Sequence, residues 1–255
     1  MAEKISTKPK CLLPLSSGFC PGCLHSLATK LIAEAIDDLG VADNVINVLP
    51  VGCSTMNSLY WKLDMVTAAH GRAPAVATGI KRCRPNSLVF AYQGDGDLAS
   101  IGLAEIIMAA DRGEHLTIFF ANNSTYGMTG GQMAPTTLVG QKSTTCIHGR
   151  DPDTMGYPIK MCELLKELEA PVYVARFSLS SPANIRKAKA GIKKAMQNQV
   201  DGLGFSFVDL LTNCPTNWHM SPVKTLEFID QHTSKYFPLG VLDRKSTRLN
   251  SSHAT

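Results

Sequence analysis

The sequence predicts an α/β fold: a doubly wound, mainly parallel sheet. Three observations carry this. Short, β-branched apolar runs alternate with helix-like segments, the pattern of strands joined by covering helices. Several runs end in polar, glycine- or cysteine-bearing turns, and open parallel sheets bind ligands at their carboxyl ends. One such pair of turns is Gly94-Asp95-Gly96-Asp97 and Asn122-Asn123, with a helix and a strand between them.

The elements follow in order. Pro21-Gly22 sits inside a cysteine turn. Residues 24–39 read as a helix, with Leu27, Leu31, Ile32, Ala35, Ile36 and Leu39 at helical spacing and Gly40 as its stop. Residues 45–51 form a strand ending at Gly52-Cys53-Ser54, and 74–82 a packed helix. Residues 87–92 are the strand before Gly94, 98–112 a helix that Asp97 is placed to cap, and 116–121 the next strand. Residues 124–150 are a long Gly-, Thr- and Ser-rich loop of the kind that carries function in compact domains. A helix (159–168), a strand (172–175), a helix opened by Ser181-Pro182 and running to about Gln199, a strand (205–211) and a last helix (222–232) complete the fold.

Bulk properties narrow the function. The 255 residues are 44% hydrophobic and 18% charged, a globular composition, and a formal charge of +4 is too mild to argue for nucleic acid. No apolar stretch is long enough for a membrane span, and the polar start lacks a signal core. Eight cysteines without such a signal point to a reducing, cytoplasmic setting and to metal or redox chemistry. One domain is expected over residues 1–242. The run 243–255 is polar, without periodicity, and resembles a translated sequencing adapter; it is expected to be a non-native tail.

Asp95, the amide oxygen of Asn123 and the carbonyl of Thr125 are hard oxygen donors suited to Mg²⁺, which takes the rest of its shell from water and phosphate oxygens. The glycines allow close approach of a diphosphate, and backbone N–H groups of the Tyr126–Gln132 segment can wrap one. The plain alternative is two polar turns in an ordinary α/β domain. Cys20, Cys23, Cys53 and Cys214 lie at strand or helix ends that can converge, and four thiolates hold either Zn²⁺ or an iron–sulfur cluster. The CxxC alone also fits a thioredoxin-type redox pair. Cys162 and Cys83 are read as packing residues, and Cys11 and Cys146 stay open. The basic run Arg186, Lys187, Lys189, Lys193 and Lys194 is read as a solvated helix face rather than a ferredoxin-docking surface.

Glycine-aspartate-glycine followed about two dozen residues later by paired asparagines resembles the thiamine diphosphate enzymes. Phe19-Cys20-Pro21-Gly22-Cys23, Val51-Gly52-Cys53-Ser54, His70-Gly71-Arg72-Ala73, Ala77-Thr78-Gly79-Ile80-Lys81, Gly94-Asp95-Gly96-Asp97, Asn122-Asn123, Tyr126-Gly127-Met128-Thr129-Gly130-Gly131-Gln132 and Asn213-Cys214-Pro215 occur in this order. Together they resemble the β subunit of 2-oxoacid:ferredoxin oxidoreductases, the branched-chain (2-oxoisovalerate) type in particular, over residues 19–242. The resemblance implies thiamine diphosphate, Mg²⁺ and a 4Fe–4S cluster as cofactors. It implies cluster ligation by Cys20, Cys23, Cys53 and Cys214. It also implies cofactor contacts at Gly52, Cys53, Ser54, His70, Gly94, Asp95, Gly96, Asp97, Asn123, Tyr126, Gly127, Met128 and Thr129. His70 would face the diphosphate. Leu24 departs from the glycine that many relatives carry after the CxxC.

The implied reaction is oxidative decarboxylation of a 2-oxoacid with CoA to an acyl-CoA, electrons passing to ferredoxin. No catalytic residue is assured in this chain, because the glutamate that activates the cofactor is expected on an α subunit. A γ subunit and a small ferredoxin-like subunit are further expected partners, with no nucleic acid and no membrane. A non-oxidative thiamine diphosphate decarboxylase or synthase subunit would keep Gly94–Asp97 and Asn123 but need no four-cysteine set. A zinc-stabilised, non-catalytic domain would use the cysteines and leave the Asp–Asn pair unexplained.

Overall fold

The computed structural model describes residues 8–242, so the expected tail at 243–255 lies outside the described residues. The strands are β1 (Val45–Leu49), β2 (Asp64–Thr67), β3 (Leu88–Gly94), β4 (Thr117–Asn122), β5 (Thr125–Tyr126), β6 (Gln132–Met133), β7 (Tyr173–Ser178), β8 (Ser206–Leu211) and β9 (Gly240–Val241). The main sheet runs in the order β2-β1-β3-β4-β8-β7-β9. All its pairings are parallel except β9 on β7.

Strand alternation sends successive side chains to opposite faces. Phe90, Phe119, Val208 and Leu210 pack under the helices His25–Leu39 and Pro182–Val200, with Leu31, Ile32, Ile36, Ala188 and Ile192. Val89, Ala91, Ile118, Phe120 and Phe207 pack on the other face under Ala73–Cys83 and Leu103–Asp111, with Ala77, Ile106 and Ala110. Both faces are covered, as a parallel sheet requires.

Every expected core strand forms. Four others were not legible: β2 and β9 are short edge strands, and β5 and β6 form a hairpin inside the expected loop. The expected helix over 98–112 divides into a π-helical turn, Asp97–Ile101, and an α-helix, Leu103–Asp111. The break is at Gly102, whose backbone meets that of Gly71. A Cβ on Gly102 would lie 2.4 Å from the Gly71 carbonyl oxygen. Asp97 does not cap this helix; its carboxylate turns instead toward the Gly71 loop.

Cys162 is fully buried with its thiol on the Ala175 carbonyl, as a packing residue should be. Cys83 is exposed, against expectation. Its helix buries Ala73, Ala77 and Lys81, and residue 83 falls off that face. Cys11 is a core residue and Cys146 is buried within the 124–150 loop. On the basic helix, Lys189 pairs with Glu34 and Lys193 with Asp38, while Arg186, Lys187 and Lys194 stay exposed. The solvated-face reading fits these contacts.

Candidate functional site

β3 and β4 are parallel neighbours, with Gly94 in register with Ala121. Their carboxyl ends therefore deliver Asp95 and Asn123 to the same edge of the sheet. β1 lies on the other side of β3 and delivers Val51 through Ser54 to that edge. The result is a cavity of about 120 Å³. It is lined by Gly52, Cys53, Ser54, His70, Gly94, Asp95, Gly96, Asp97, Asn123, Thr125, Tyr126, Gly127, Met128 and Thr129, together with His25 and Val51. Every residue expected at the cofactor or Mg²⁺ thus lines one space.

The chain turns sharply there. Ser124 adopts a left-handed backbone, φ 59°, uncommon for a side-chain-bearing residue and recurrent at functional sites. It swings β4 into the β5–β6 hairpin. Gly96 has no room for a side chain, since a Cβ would stand 2.2 Å from the Tyr126 ring. The Tyr126 hydroxyl donates to the Gly96 carbonyl at 3.2 Å, fastening the glycine turn to the hairpin.

Asp95 is 1% exposed. Its carboxylate accepts from the Thr136 hydroxyl at 2.6 Å and the Gly96 N–H at 2.9 Å, and no cationic group among the described residues reaches it. Burial pushes its carboxyl up to about 6, against the pull of these donors. Asn123 Oδ1 accepts from Thr125 N–H at 3.3 Å and keeps a second lone pair. Asn123 is held from behind, its carbonyl accepting from the Trp218 indole at 3.0 Å. Asp97 accepts from Gly71 N–H at 2.9 Å and from the Gln93 amide at 2.5 Å, and it contacts His70 Nδ1. His70 is thereby fixed at the cavity rim by the same close approach that breaks the helix at Gly102.

The pocket suits a diphosphate held through a divalent cation. Ser54 Oγ is buried in its wall with no hydrogen-bond partner among the described residues. A Cβ added at Gly52 or Gly94 would meet nothing within 4 Å, so backbone lies open to the cavity at both positions. Asp95 supplies a buried charge that a cation would answer.

A second cavity, about 100 Å³, is lined by Cys20, Cys23, Cys53 and Cys214. The four thiols come together around space, although among the described residues no three His, Cys, Asp or Glu side chains are placed to share one metal ion. A cluster carries its own core and spreads its ligands further apart than one ion does. Burial pushes the Cys23 thiol up to about 12 and the Cys53 thiol up to about 11, with neighbouring thiols adding to both. Burial raises Cys214 as well, opposed by Asn217. Such crowded thiols suit a positively charged iron core that would stabilise their ionised forms. Leu24 is accommodated in ordinary helical geometry, with its N–H on Asn213 Oδ1 at 2.9 Å, so glycine's freedom is not needed there.

The two cavities share His25, Cys53, Asn123 and Gly127. Asn217 links them further, donating to the Gly127 carbonyl at 2.9 Å and to Cys214 Sγ at 3.2 Å. Sequence reasoning missed His25, Val51, Thr136, Asn217 and Trp218. Only His25 and Asn217 left a signal, each polar and within a few residues of an expected cysteine ligand.

Residues 50–210 match the family described as thiamine pyrophosphate enzyme, C-terminal TPP binding domain. The chain belongs to this thiamine pyrophosphate-binding family and, within it, to the 2-oxoacid oxidoreductase subunits. It is 48% identical over 249 residues to the ketoisovalerate oxidoreductase subunit VorA of Methanothermobacter thermautotrophicus, covering 94% of this chain and 52% of that one. It is 35% identical over 222 residues to the 2-oxoglutarate synthase subunit KorB of Methanocaldococcus jannaschii, covering 84% of this chain and 77% of that one. Among solved structures, 2-oxoglutarate:ferredoxin oxidoreductase from Magnetococcus marinus aligns with a TM-score of 0.75 at 25% identity, over 94% of this chain and 85% of that one. The chain spans about half the length of the ketoisovalerate relative.

Proposed function

We propose that this chain, as one domain up to residue 242, is the thiamine diphosphate- and Mg²⁺-binding subunit of a 2-oxoacid:ferredoxin oxidoreductase. Its reaction is the CoA-dependent oxidative decarboxylation of a 2-oxoacid, with 2-oxoisovalerate the favoured substrate. The observation that carries the reading is the wall shared by the Asp95–Asn123 pocket and the four-thiol cavity. A non-oxidative decarboxylase has no use for such an adjacency, whereas an enzyme that must remove electrons from its cofactor does. The Methanothermobacter relative's name points to the branched-chain substrate.

When bound, thiamine diphosphate supplies an electron sink for decarboxylation and a 4Fe–4S cluster supplies a one-electron acceptor beside it. The residues of this chain do the holding. Asp95, Asn123 and the Thr125 carbonyl ligate Mg²⁺. Gly94, Gly96 and the Tyr126–Thr129 backbone cradle the diphosphate, and His70, oriented by Asp97, faces it. Gly52, Cys53 and Ser54 close the side toward the thiols, and Cys20, Cys23, Cys53 and Cys214 ligate the cluster. The glutamate that activates the cofactor comes from an α subunit, so the site is completed at an interface. A γ subunit and a ferredoxin-like subunit join the assembly in the cytoplasm. No helix among the described residues is long and apolar enough to cross a membrane.

The test is anaerobic purification of the assembled complex. A broad brown absorption is expected, with iron and sulfide about four each per chain lower in a Cys53→Ser, Cys214→Ser double variant than in the wild type. Full cluster content in that variant overturns the ligand assignment, and a colourless zinc protein overturns the oxidoreductase reading. Turnover is expected to favour 2-oxoisovalerate over pyruvate and 2-oxoglutarate; the reverse order reassigns the substrate. The chain alone is expected to release no CO₂, and appreciable release without a partner would place the missing acid–base group within it.

A further inference from the structure

His25 follows the CxxC turn and starts the helix His25–Leu39, yet it is only 2% exposed and lines both cavities. Its ring is clamped. Phe19 stacks on one face, with ring centroids 5.2 Å apart and planes at 17°. Tyr92, on β3, meets the edge, its hydroxyl 2.6 Å from His25 Nδ1.

Hydrogen-bond accounting fixes the tautomer. Tyr92 is buried, and among the described residues its hydroxyl has His25 Nδ1 as its one hydrogen-bond partner. If Nδ1 carried the proton, the tyrosine O–H would be left buried with no acceptor among the described residues, an unfavourable arrangement. Tyr92 O–H therefore donates to Nδ1, and the ring proton resides on Nε2. Nε2 makes no hydrogen bond to the described residues. It is the donor left for an occupant of the space beside the thiols.

We infer that His25 is a positioning residue whose Nε2–H, locked by Tyr92, donates toward the group held by Cys20, Cys23, Cys53 and Cys214 and raises its reduction potential. The inference rests on the cluster reading above. Reduction adds negative charge, and a donor fixed beside the sulfurs stabilises the reduced form. His25 lines both cavities, so the effect is exerted where the two meet.

The assembled complex, purified anaerobically, is titrated electrochemically with EPR detection, after iron and sulfide assay. His25→Leu keeps an apolar filling and removes the donor. It is expected to make reduction about tenfold less favourable, a shift of ~59 mV to lower potential for one electron. His25→Gln, which restores an N–H donor, is expected to recover part of it. Tyr92→Phe keeps the imidazole but frees its tautomer, and should lower the potential by a smaller amount; it serves as the test if Leu at position 25 impairs cluster loading. An independent reading is the ¹⁵N spectrum of the His25 side chain in the full cofactor-free chain. It should show the Nε2–H tautomer in the wild type and a mixture in Tyr92→Phe. Full cluster content with an unmoved potential in the variants, or an Nδ1–H tautomer in the wild type, overturns the inference while leaving the cluster reading intact. A wild-type complex without iron overturns both.

Discussion

Asp95 and Asp209 are both buried carboxylates of one sheet, and the chain treats them differently. Asp209 lies within β8, in register with Arg176 on β7. Arg176 Nε donates to Asp209 at 2.6 Å, and the rest of the guanidinium is taken by Glu163 and the Pro238 carbonyl. Burial alone would lower the Arg176 pKa, but the two carboxylates raise it instead. Asp95 lies at the carboxyl end of β3 and, among the described residues, has neutral donors only. A charge answered within the chain is part of the fold. A charge answered by hydroxyl and amide alone, at the sheet edge where ligands bind, is what the proposed Mg²⁺ would answer.

The comparison breaks most directly at Arg176. Arg176→Leu strands the buried Asp209 and should cost about 3–5 kcal/mol of stability, measured by urea unfolding. A cost below about 1 kcal/mol would show that Asp209 is not held by this pair. At the other carboxylate the expected effect is on binding. Asp95→Ala should weaken Mg²⁺-dependent thiamine diphosphate binding by about 100-fold, ~2.7 kcal/mol, in calorimetry on the assembled complex. Its stability without cation should hold or rise, because an unanswered buried charge is removed. Undiminished affinity would remove Asp95 from the metal site.

A smaller effect sharpens the contrast through pH. Burial raises the Glu163 pKa, but hydrogen bonding and charge from Arg176 outweigh it and the net shift is downward from 4.5. Glu163 therefore contributes stability above its unfolded pKa and loses it as pH falls through the lowered folded value. Glu163→Gln should be less stable than wild type by about 1 kcal/mol near neutrality, with the gap closing in acid below pH ~4.5. Added Mg²⁺ should leave that gap unchanged. A gap that stays constant with pH would mean that Glu163 contributes through packing rather than charge.

Much of the site was legible because its chemistry is local. Gly94–Asp97, Asn123 and the Tyr126–Thr129 loop lie directly after strands that alternation makes plain, and parallel pairing brings them to one edge. The cysteines were legible as a set of possible ligands, and their gathering around one cavity needed the fold. Cys83 shows the limit of type-based reading, since a small apolar side chain says nothing about its phase on the helix. The π-helical start at Asp97 was equally hidden, because Gly102 gives way to a loop some thirty residues earlier in the chain.

By itself the sequence determined the alternation of strands and helices, the two covered faces, and the glycine, aspartate and asparagine residues placed at strand ends, since periodicity and turn chemistry are properties of neighbouring residues. Only the tertiary structure decided that the Asp95–Asn123 pocket and the thiol cavity share a wall, that among the described residues Asp209 is answered by a charge and Asp95 is not, and that His25 meets Tyr92 across a separation of 67 residues. Those facts depend on strand order and on which helix face meets which strand. They are set by burying both faces of the sheet at once, a condition of the whole chain that no local stretch records.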